Sequence, residues 1–443
     1  MTATALQQAH VPPSVLARRV FAVALLVHLV VVEAIFVAGG AGANTLLTIG
    51  NFFGLHVAAV MMVQLALIAR LPWLDRRIGM DKLTIWHRWL GLALFWVVLL
   101  HATFVTLGFA ALDRASPLRT FLSLAGQVST LLGITAATIL VAVVAMSTRY
   151  VRRRLQYETW HAIHLALYAT VVLGLIHQSL EPNAFSVSPW ATAYWWTVWA
   201  LVLAAFVVGR IVLPFWRNVY HRFRVAKVVP ESEDAVSVYV TGRNLQRLPV
   251  QAGQFFIWHF PGLRSWWWSN PFSLSAAPDG DMLRLTAKAV GPGSAALRQV
   301  PVGTRVFAEG PYGAFTAMNR ACQSTLLIAG GIGVTPVRSL LEVLDGPVTV
   351  LYRVRTEADA VLLPEIRLLA SERGAEVHVL AGRTRGGPPP FDPERLVALV
   401  PDIAERDVYV CGPPAMTSAV LRSLRQLRVP HAQVHAERFA LVT

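Results

Sequence analysis

Four histidines in apolar surroundings are the residues of this chain best placed to do chemistry. His87 and His101 lie fourteen residues apart in one apolar stretch, and His164 and His177 lie thirteen apart in another. A helix rises about 1.5 Å per residue, so the two members of each pair sit roughly 20 Å apart in depth. With both helices running the same way, His87 meets His164 at one level and His101 meets His177 at the other. A neutral imidazole is a good axial ligand for haem iron, and two facing helices can hold the flat macrocycle edge-on. Ionisable groups inside a membrane are costly enough that a functional role is the default reading. One point of geometry resists: fourteen residues leave two side chains about 40° apart, whereas thirteen leave them about 140° apart. The second helix must bend, widen or offer another ligand, and His161, one turn before His164, is the competitor. Taken singly, His28, His56 and His161 read as polar groups bonded to neighbouring helices. Glu33 reads as a proton or propionate partner, or as a side chain that reaches the interface.

The elements that must position these histidines are membrane spans. Of 443 residues only 14% are charged, against about 25% in a soluble domain. Apolar stretches at 20–38, 46–69, 89–108, 122–146, 159–180 and 190–213 each approach the ~20 residues that cross a bilayer as a helix. The first follows Arg18 and Arg19 and has no small-residue cleavage site, which predicts a retained helix and not a signal peptide. Arg70, Arg76, Arg77 and Lys82 follow the second stretch, and Arg149, Arg152, Arg153 and Arg154 follow the fourth, while the alternate connections are poor in positive charge. The positive-inside rule then predicts a cytoplasmic N-terminus and a cytoplasmic second half, in the inner (plasma) membrane of the cell. The net charge of +14 is explained by arginines at the ends of apolar segments, so nucleic acid is not an expected partner. With Cys322 and Cys411 alone, a disulfide framework or multi-cysteine metal site is excluded.

After residue 216 the pattern changes to short alternating stretches such as 224–229 and 235–241, which predict a small antiparallel barrel over 217–318. From 319 to 443 it predicts an α/β domain. A buried strand at 325–329, a turn with Gly330, Gly331, Gly333, Thr335 and Pro336, and a helix at 337–344 form the arrangement that lets backbone approach a pyrophosphate at a helix N-terminus. The spacing is not GxGxxG. A strand at 347–352 ends in Arg353 and Arg355 where an acidic residue would hold a ribose hydroxyl, which favours NADPH over NADH. Arg383 and Arg385 are further candidates.

The order of motifs is similar to that of the ferric reductase and NADPH oxidase superfamily over nearly the whole chain. Tyr157, Glu158, Trp160 and His164 resemble the opening of its fifth helix and favour His164 over His161. Asn270, Pro271, Phe272 and Ser273, then Lys288, Gly291, Gly293 and Ser294, then the glycine turn, then Cys411, Gly412 and Pro413 resemble the ferredoxin reductase module. The resemblance implies two b-type haems on His87, His101, His164 and His177. It also implies an isoalloxazine along Phe272 with the Ser273 hydroxyl near its reactive nitrogen, the FAD pyrophosphate at Gly293 and Ser294, and a nicotinamide beside Cys411 and Gly412, with Gly333 and Thr335 as further cofactor-binding positions of the module. Glu437, Arg438 and Phe439 resemble a C-terminal ending whose aromatic ring covers the flavin. Asn270 stands where the family has His or Arg, and Trp266, Trp267 and Trp268 read as an interfacial patch.

The expected molecule is a membrane α-helical bundle of six spans, residues 1–216, joined to a cytoplasmic β-barrel FAD domain and an α/β nucleotide-binding domain. Its expected function is transmembrane electron transfer from NADPH through FAD and two haems to an extracytoplasmic acceptor, either dioxygen or a ferric chelate. Val105, four positions after His101, stands where some oxidases carry an extra His. A haem-binding transporter or sensor with a degenerate reductase tail is the alternative, and assembly into a homo-oligomer is left open.

Overall fold

The computed structural model describes residues 13–39, 41–155, 157–181, 184–186, 188–262, 270–382 and 389–437. Among the described residues six helices are long and apolar enough to cross a membrane: Pro13–Gly39, Thr45–Ile68, Met80–Asp113, Val128–Met146, Thr159–Leu180 and Pro189–His221, here spans one to six. Several run past the expected apolar limits, because a helix continues into polar residues beyond the part that hydrocarbon covers. The chain is a multi-pass membrane protein, and side chains such as Leu26, Val30 and Val37 are bared on span one, as lipid contact requires.

Spans two and three approach closely through small residues, as membrane helices do without a hydrophobic drive between them. A Cβ on Gly50 would meet Val105 Cγ2 at 2.8 Å, and one on Gly108 would meet Leu47 at 2.6 Å. Asn44 caps span two by accepting from Leu47 N at 2.8 Å, and its Nδ2 donates to the Gly108 carbonyl at 2.8 Å. Span five breaks between Leu165 and Leu167. There Ala166 N donates to Ile163 O and Ala169 N to Ala166 O, each at 3.0 Å. Span six carries a π turn at Val208–Val212. Gly209 lies in that turn, where a Cβ would strike the Ala69 carbonyl.

The second half opens with six strands: β1 (Arg224–Pro230), β2 (Ala235–Thr241), β3 (Phe255–His259), β4 (Asn270–Ser273), β5 (Met282–Lys288) and β6 (Phe307–Tyr312). They form two antiparallel sheets, ordered β1-β2-β5 and β4-β3-β6. Single bridges, Leu274 to Leu285 and Arg224 to Arg305, join the sheets where a closed barrel would have continuous ladders. Val238, Trp258, Leu274 and Leu285 fill the space between them. Five parallel strands follow: β7 (Thr325–Gly330), β8 (Val348–Val354), β9 (Glu376–Ala381), β10 (Asp407–Cys411) and β11 (Val434–Glu437), ordered β11-β10-β7-β8-β9. Alternate residues of β7 serve opposite faces: Leu327 and Ala329 pack with Val337 and Leu340, while Leu326 and Ile328 pack with Leu396 and Val420. This is a sheet covered by helices on both sides.

By contact, Val20–Leu71 and Lys82–Ile211 make one compact unit, whereas Pro72–Asp81 folds with Val212–Thr443. The connection between spans two and three is therefore a built part of the reductase unit. Its helix, Pro72–Ile78, buries Asp75 to 1% exposure, and Asp75 Oδ2 accepts from Gly313 N at 2.7 Å. Arg76 Nη2 donates to the Pro249 carbonyl at 2.5 Å. Met80 packs on Phe255, Ile257 and Tyr312. In the same unit Asn218 and the Ala308 backbone exchange two hydrogen bonds of 2.9 Å.

Candidate functional site

In the membrane unit the His87 and His164 rings stand 6.3 Å apart between centroids, at 70° to each other. Two nitrogen–metal bonds of about 2.0 Å, with the half-width of each ring, account for about 6 Å. The spacing leaves room for one ion between the two rings. His164 Nδ1 is buried with no hydrogen-bond partner among the described residues, and its ring stacks on Trp160 at 5.0 Å. Trp160 is itself fixed by donating to Ser147 Oγ at 3.1 Å. The competitor His161 lies instead in the field of Arg210 and Arg70. The break at Ala166 bears on the 140° mismatch, since each residue in a tighter i→i−3 turn adds roughly 20° of rotation.

At the other level both imidazoles are oriented by backbone. His101 Nδ1 donates to Gly50 O at 2.9 Å and His177 Nδ1 to Ser129 O at 2.8 Å. A carbonyl can only accept, so the hydrogen sits on Nδ1 and each Nε2 keeps a lone pair for a metal. Two glycines make room for the rings: a Cβ on Gly54 would lie 2.7 Å from His101 Cε1, and one on Gly133 would lie 3.1 Å from His177 Cε1. Among the described residues no group of three or more His, Cys, Asp or Glu is poised to hold an ion. Two imidazoles from facing helices are a donor set that a porphyrin iron accepts as its protein ligands.

In the reductase unit, Asn270, Pro271, Phe272 and Ser273 form β4, paired with Trp258, Ile257, Phe256 and Phe255 of β3. Ser273 is 2% exposed, and its Oγ has no partner among the described residues. A lone buried hydroxyl costs about 1–3 kcal/mol and fits a site for a ligand acceptor. Lys288 binds Asp234 at 2.9 Å and holds that carboxyl below the usual range, so its charge is tied to the adjoining turn. Ser294 Oγ accepts from Val290 N and Gly291 N at 3.1 and 3.2 Å. That closes the turn into the short helix Pro292–Ala296, which contains Gly293, and the space beside Gly291 is open.

The ends of β7 and β10 meet backbone to backbone. A Cβ on Gly333 would lie 2.4 Å from the Cys411 carbonyl oxygen and 2.8 Å from Gly412 N. Gly330 is crowded by Met416 and Pro413, and Gly412 by Gly330 Cα at 3.1 Å. Gly331 differs: it has φ +54 and nothing within 4 Å of a Cβ. Two of the turn's glycines are thus demanded by packing and one by conformation. The turn passes straight into the helix Val334–Leu341, earlier than sequence predicts, and buries Thr335 and Pro336. Thr335 Oγ1 donates to the Ile332 carbonyl at 3.1 Å. Cys411 is fully buried opposite Glu437. Burial, helped by the Glu437 carboxylate, pushes the thiol well up, so it stays protonated and is no nucleophile.

Arg353 lies within β8 and donates to the Leu380 carbonyl at 3.0 Å, while Arg355 stays 72% exposed beside Asp359 at 3.5 Å. Arg395, which sequence reasoning missed, adds its field to Arg353. It lies in an ordinary helical segment with no motif to mark it. The same holds for Gly54, Gly133 and Ser129, whose roles depend on which helix faces which. Arg438, Phe439, Arg383, Arg385 and Trp266–Trp268 fall outside the described residues.

Comparison with known proteins agrees with this division. Residues 53–175 match the family described as ferric reductase like transmembrane component, and residues 327–422 match the oxidoreductase NAD-binding domain. The ferredoxin–NAD(+) reductase component of the alkene monooxygenase system of Xanthobacter autotrophicus is 35% identical over 204 residues, 42% of this chain and 61% of that protein. The chain thus spans less than two thirds of that relative. A flavohemoprotein of Xylella fastidiosa is 27% identical over 65% of this chain and 78% of its own length. Among solved structures, the flavohem-like FAD/NAD binding domain of a nitric oxide dioxygenase from Vibrio cholerae is 25% identical over 49% of this chain and 98% of its own, with TM-score 0.41. The chain thus joins, in one polypeptide, a stretch that matches ferric reductase like transmembrane components and a stretch that matches oxidoreductase NAD-binding domains.

Proposed function

We propose that the protein carries electrons from cytoplasmic NADPH across the plasma membrane to an external acceptor, dioxygen or a ferric chelate. One observation carries the reading: two pairs of histidines at two levels of one bundle, fused to a reductase module. When bound, FAD turns two-electron hydride chemistry into single-electron steps, and haem iron accepts electrons singly. His87 and His164 would hold one haem, and His101 and His177 the other. Gly50 and Ser129 keep the outer imidazoles in the ligating tautomer, and Trp160 steadies His164. Ser273 would place its hydroxyl on the flavin, Gly291, Gly293 and Ser294 would shape the pyrophosphate turn, and Gly333 and Cys411 would set the floor for the nicotinamide. Protonated Cys411 excludes water there without adding charge. Arg353 and Arg355, with Arg395, would receive the 2′-phosphate. In an inward-negative cell, outward electron movement is favoured by about 2.3 kcal/mol per 100 mV for each charge.

The test is to add NADPH anaerobically to detergent-purified protein supplied with FAD and haem. Haem reduction is expected, followed by reoxidation on admitting oxygen with a superoxide probe or a ferric chelate. The faster reoxidation identifies the acceptor, and a haem spectrum that NADPH leaves oxidised overturns the proposal.

A further inference from the structure

Spans one, two and six carry a second set of ionisable side chains that this electron path does not use. His56 Nδ1 donates to the Phe52 carbonyl at 2.8 Å, and its Nε2 faces Glu33 Oε1 at 3.1 Å. With Nδ1 committed as a donor, Nε2 either accepts from a protonated Glu33 or, in an imidazolium, donates to the carboxylate. Both arrangements place one proton in the 3.1 Å contact. Without that proton a lone pair would face an anion. Glu33 keeps 43% of its side chain exposed on the helix that bares Val30 and Val37, where an unshared charge is costly.

Other titratable groups surround the pair. On span one His28 Nδ1 lies 2.7 Å from the Tyr194 hydroxyl of span six. His28 Nε2 is buried with no partner among the described residues. On the far flank of span two stand His101 and, near it, His177. Gly50 and Gly54 of span two make the cradle of His101. His56 is two residues beyond Gly54, about 200° around the helix. The Glu33–His56 pair and the outer histidine level therefore share one helix, on opposite sides of it. Side chains included, a helix is about 10–12 Å across. A unit charge acting over that distance at an effective dielectric of about 20 changes a proton equilibrium roughly tenfold.

We infer that Glu33 and His56 form a proton-binding site coupled to the His101–His177 level. The proton of the 3.1 Å contact would be held more tightly while an electron stands at that level than after it has passed to the acceptor. The inference rests on the haem reading above.

Its test is spectroelectrochemical titration of the full-length, haem- and FAD-loaded protein across the neutral pH range. One of two haem components is expected to fall in midpoint as pH rises, by at most the 59 mV that corresponds to tenfold. Glu33→Gln should abolish that slope and leave the other component alone, while Glu33→Asp should restore it. The reduced-minus-oxidised infrared spectrum should show a deuterium-sensitive carboxylic acid band that Glu33→Gln lacks. A pH-independent wild type, or a Gln variant that keeps the slope, overturns this inference alone. A protein that takes up no haem overturns the electron-path reading and this inference with it.

Discussion

Replacing Gly54 by Ala tests the proposed haem site at His101 and His177 without replacing either histidine. The new Cβ would stand 2.7 Å from His101 Cε1 and 2.8 Å from its Nδ1, whereas ordinary contact begins near 3.4 Å. The imidazole must retreat by about 0.7 Å, several times the ±0.2 Å within which metal–ligand distances are held. The retreat also strains the 2.9 Å bond from His101 Nδ1 to Gly50 O. The equivalent change at Gly133 asks His177 to give by only about 0.3 Å from its 3.1 Å contact. Gly54→Ala should therefore lose one haem, or shift its midpoint, while Gly133→Ala keeps two. The assay is the reduced haem spectrum and pyridine haemochrome content per polypeptide, with flavin content as the folding control. A Gly54→Ala protein with both haems at unchanged midpoints would refute the placement of His101 as a ligand.

His164→Ala should remove the inner haem while His161→Ala retains it, as read from haem content per chain; the opposite result would assign the ligand to His161. Arg355→Ala should raise KM for NADPH several-fold and leave KM for NADH nearly unchanged, and equal effects on both would remove Arg355 from phosphate recognition. Glu365 accepts from Arg284 at 2.9 Å through both guanidinium nitrogens and pairs with Arg338 at 2.8 Å. Breaking a buried pair costs about 3–5 kcal/mol, which solvent at its 34% exposed side chain reduces to about 2 kcal/mol. Burial alone would raise the Glu365 carboxyl, but Arg284 and Arg338 outweigh it and hold it low. The stabilisation is thus complete above the unfolded value of about 4.3 and fades as pH falls through the lower folded value. The temperature of flavin release should drop over that acid range in wild type, and Glu365→Gln should flatten the dependence; an unaltered profile would contradict it.

Much of this was legible in residue order. Spans announce themselves because hydrocarbon demands long apolar runs, and the histidine spacing survives as a pattern because a helix converts separation into depth. What the order does not carry is which surfaces meet. Nothing local says that Gly54 yields space to His101, that span five breaks at Ala166, or that Gly333 is glycine because Cys411 crosses it. The expected barrel appears as two bridged sheets, since seams depend on twist more than on alternation. Ser273 stood out by its neighbours in sequence, yet its unsatisfied hydroxyl became visible only after β3 and β4 paired.

The burial of Asp75 has a practical consequence for anyone cutting or swapping this protein. A fragment starting at Val212 would leave Gly313 N without its carboxylate acceptor and would uncover the apolar patch of Phe255, Ile257 and Tyr312 against which Met80 packs. Such a fragment should be sticky and poorly soluble. A chimera that exchanges reductase halves between relatives must carry the ten residues Pro72–Asp81 along with its donor, though they are encoded in the middle of the membrane half.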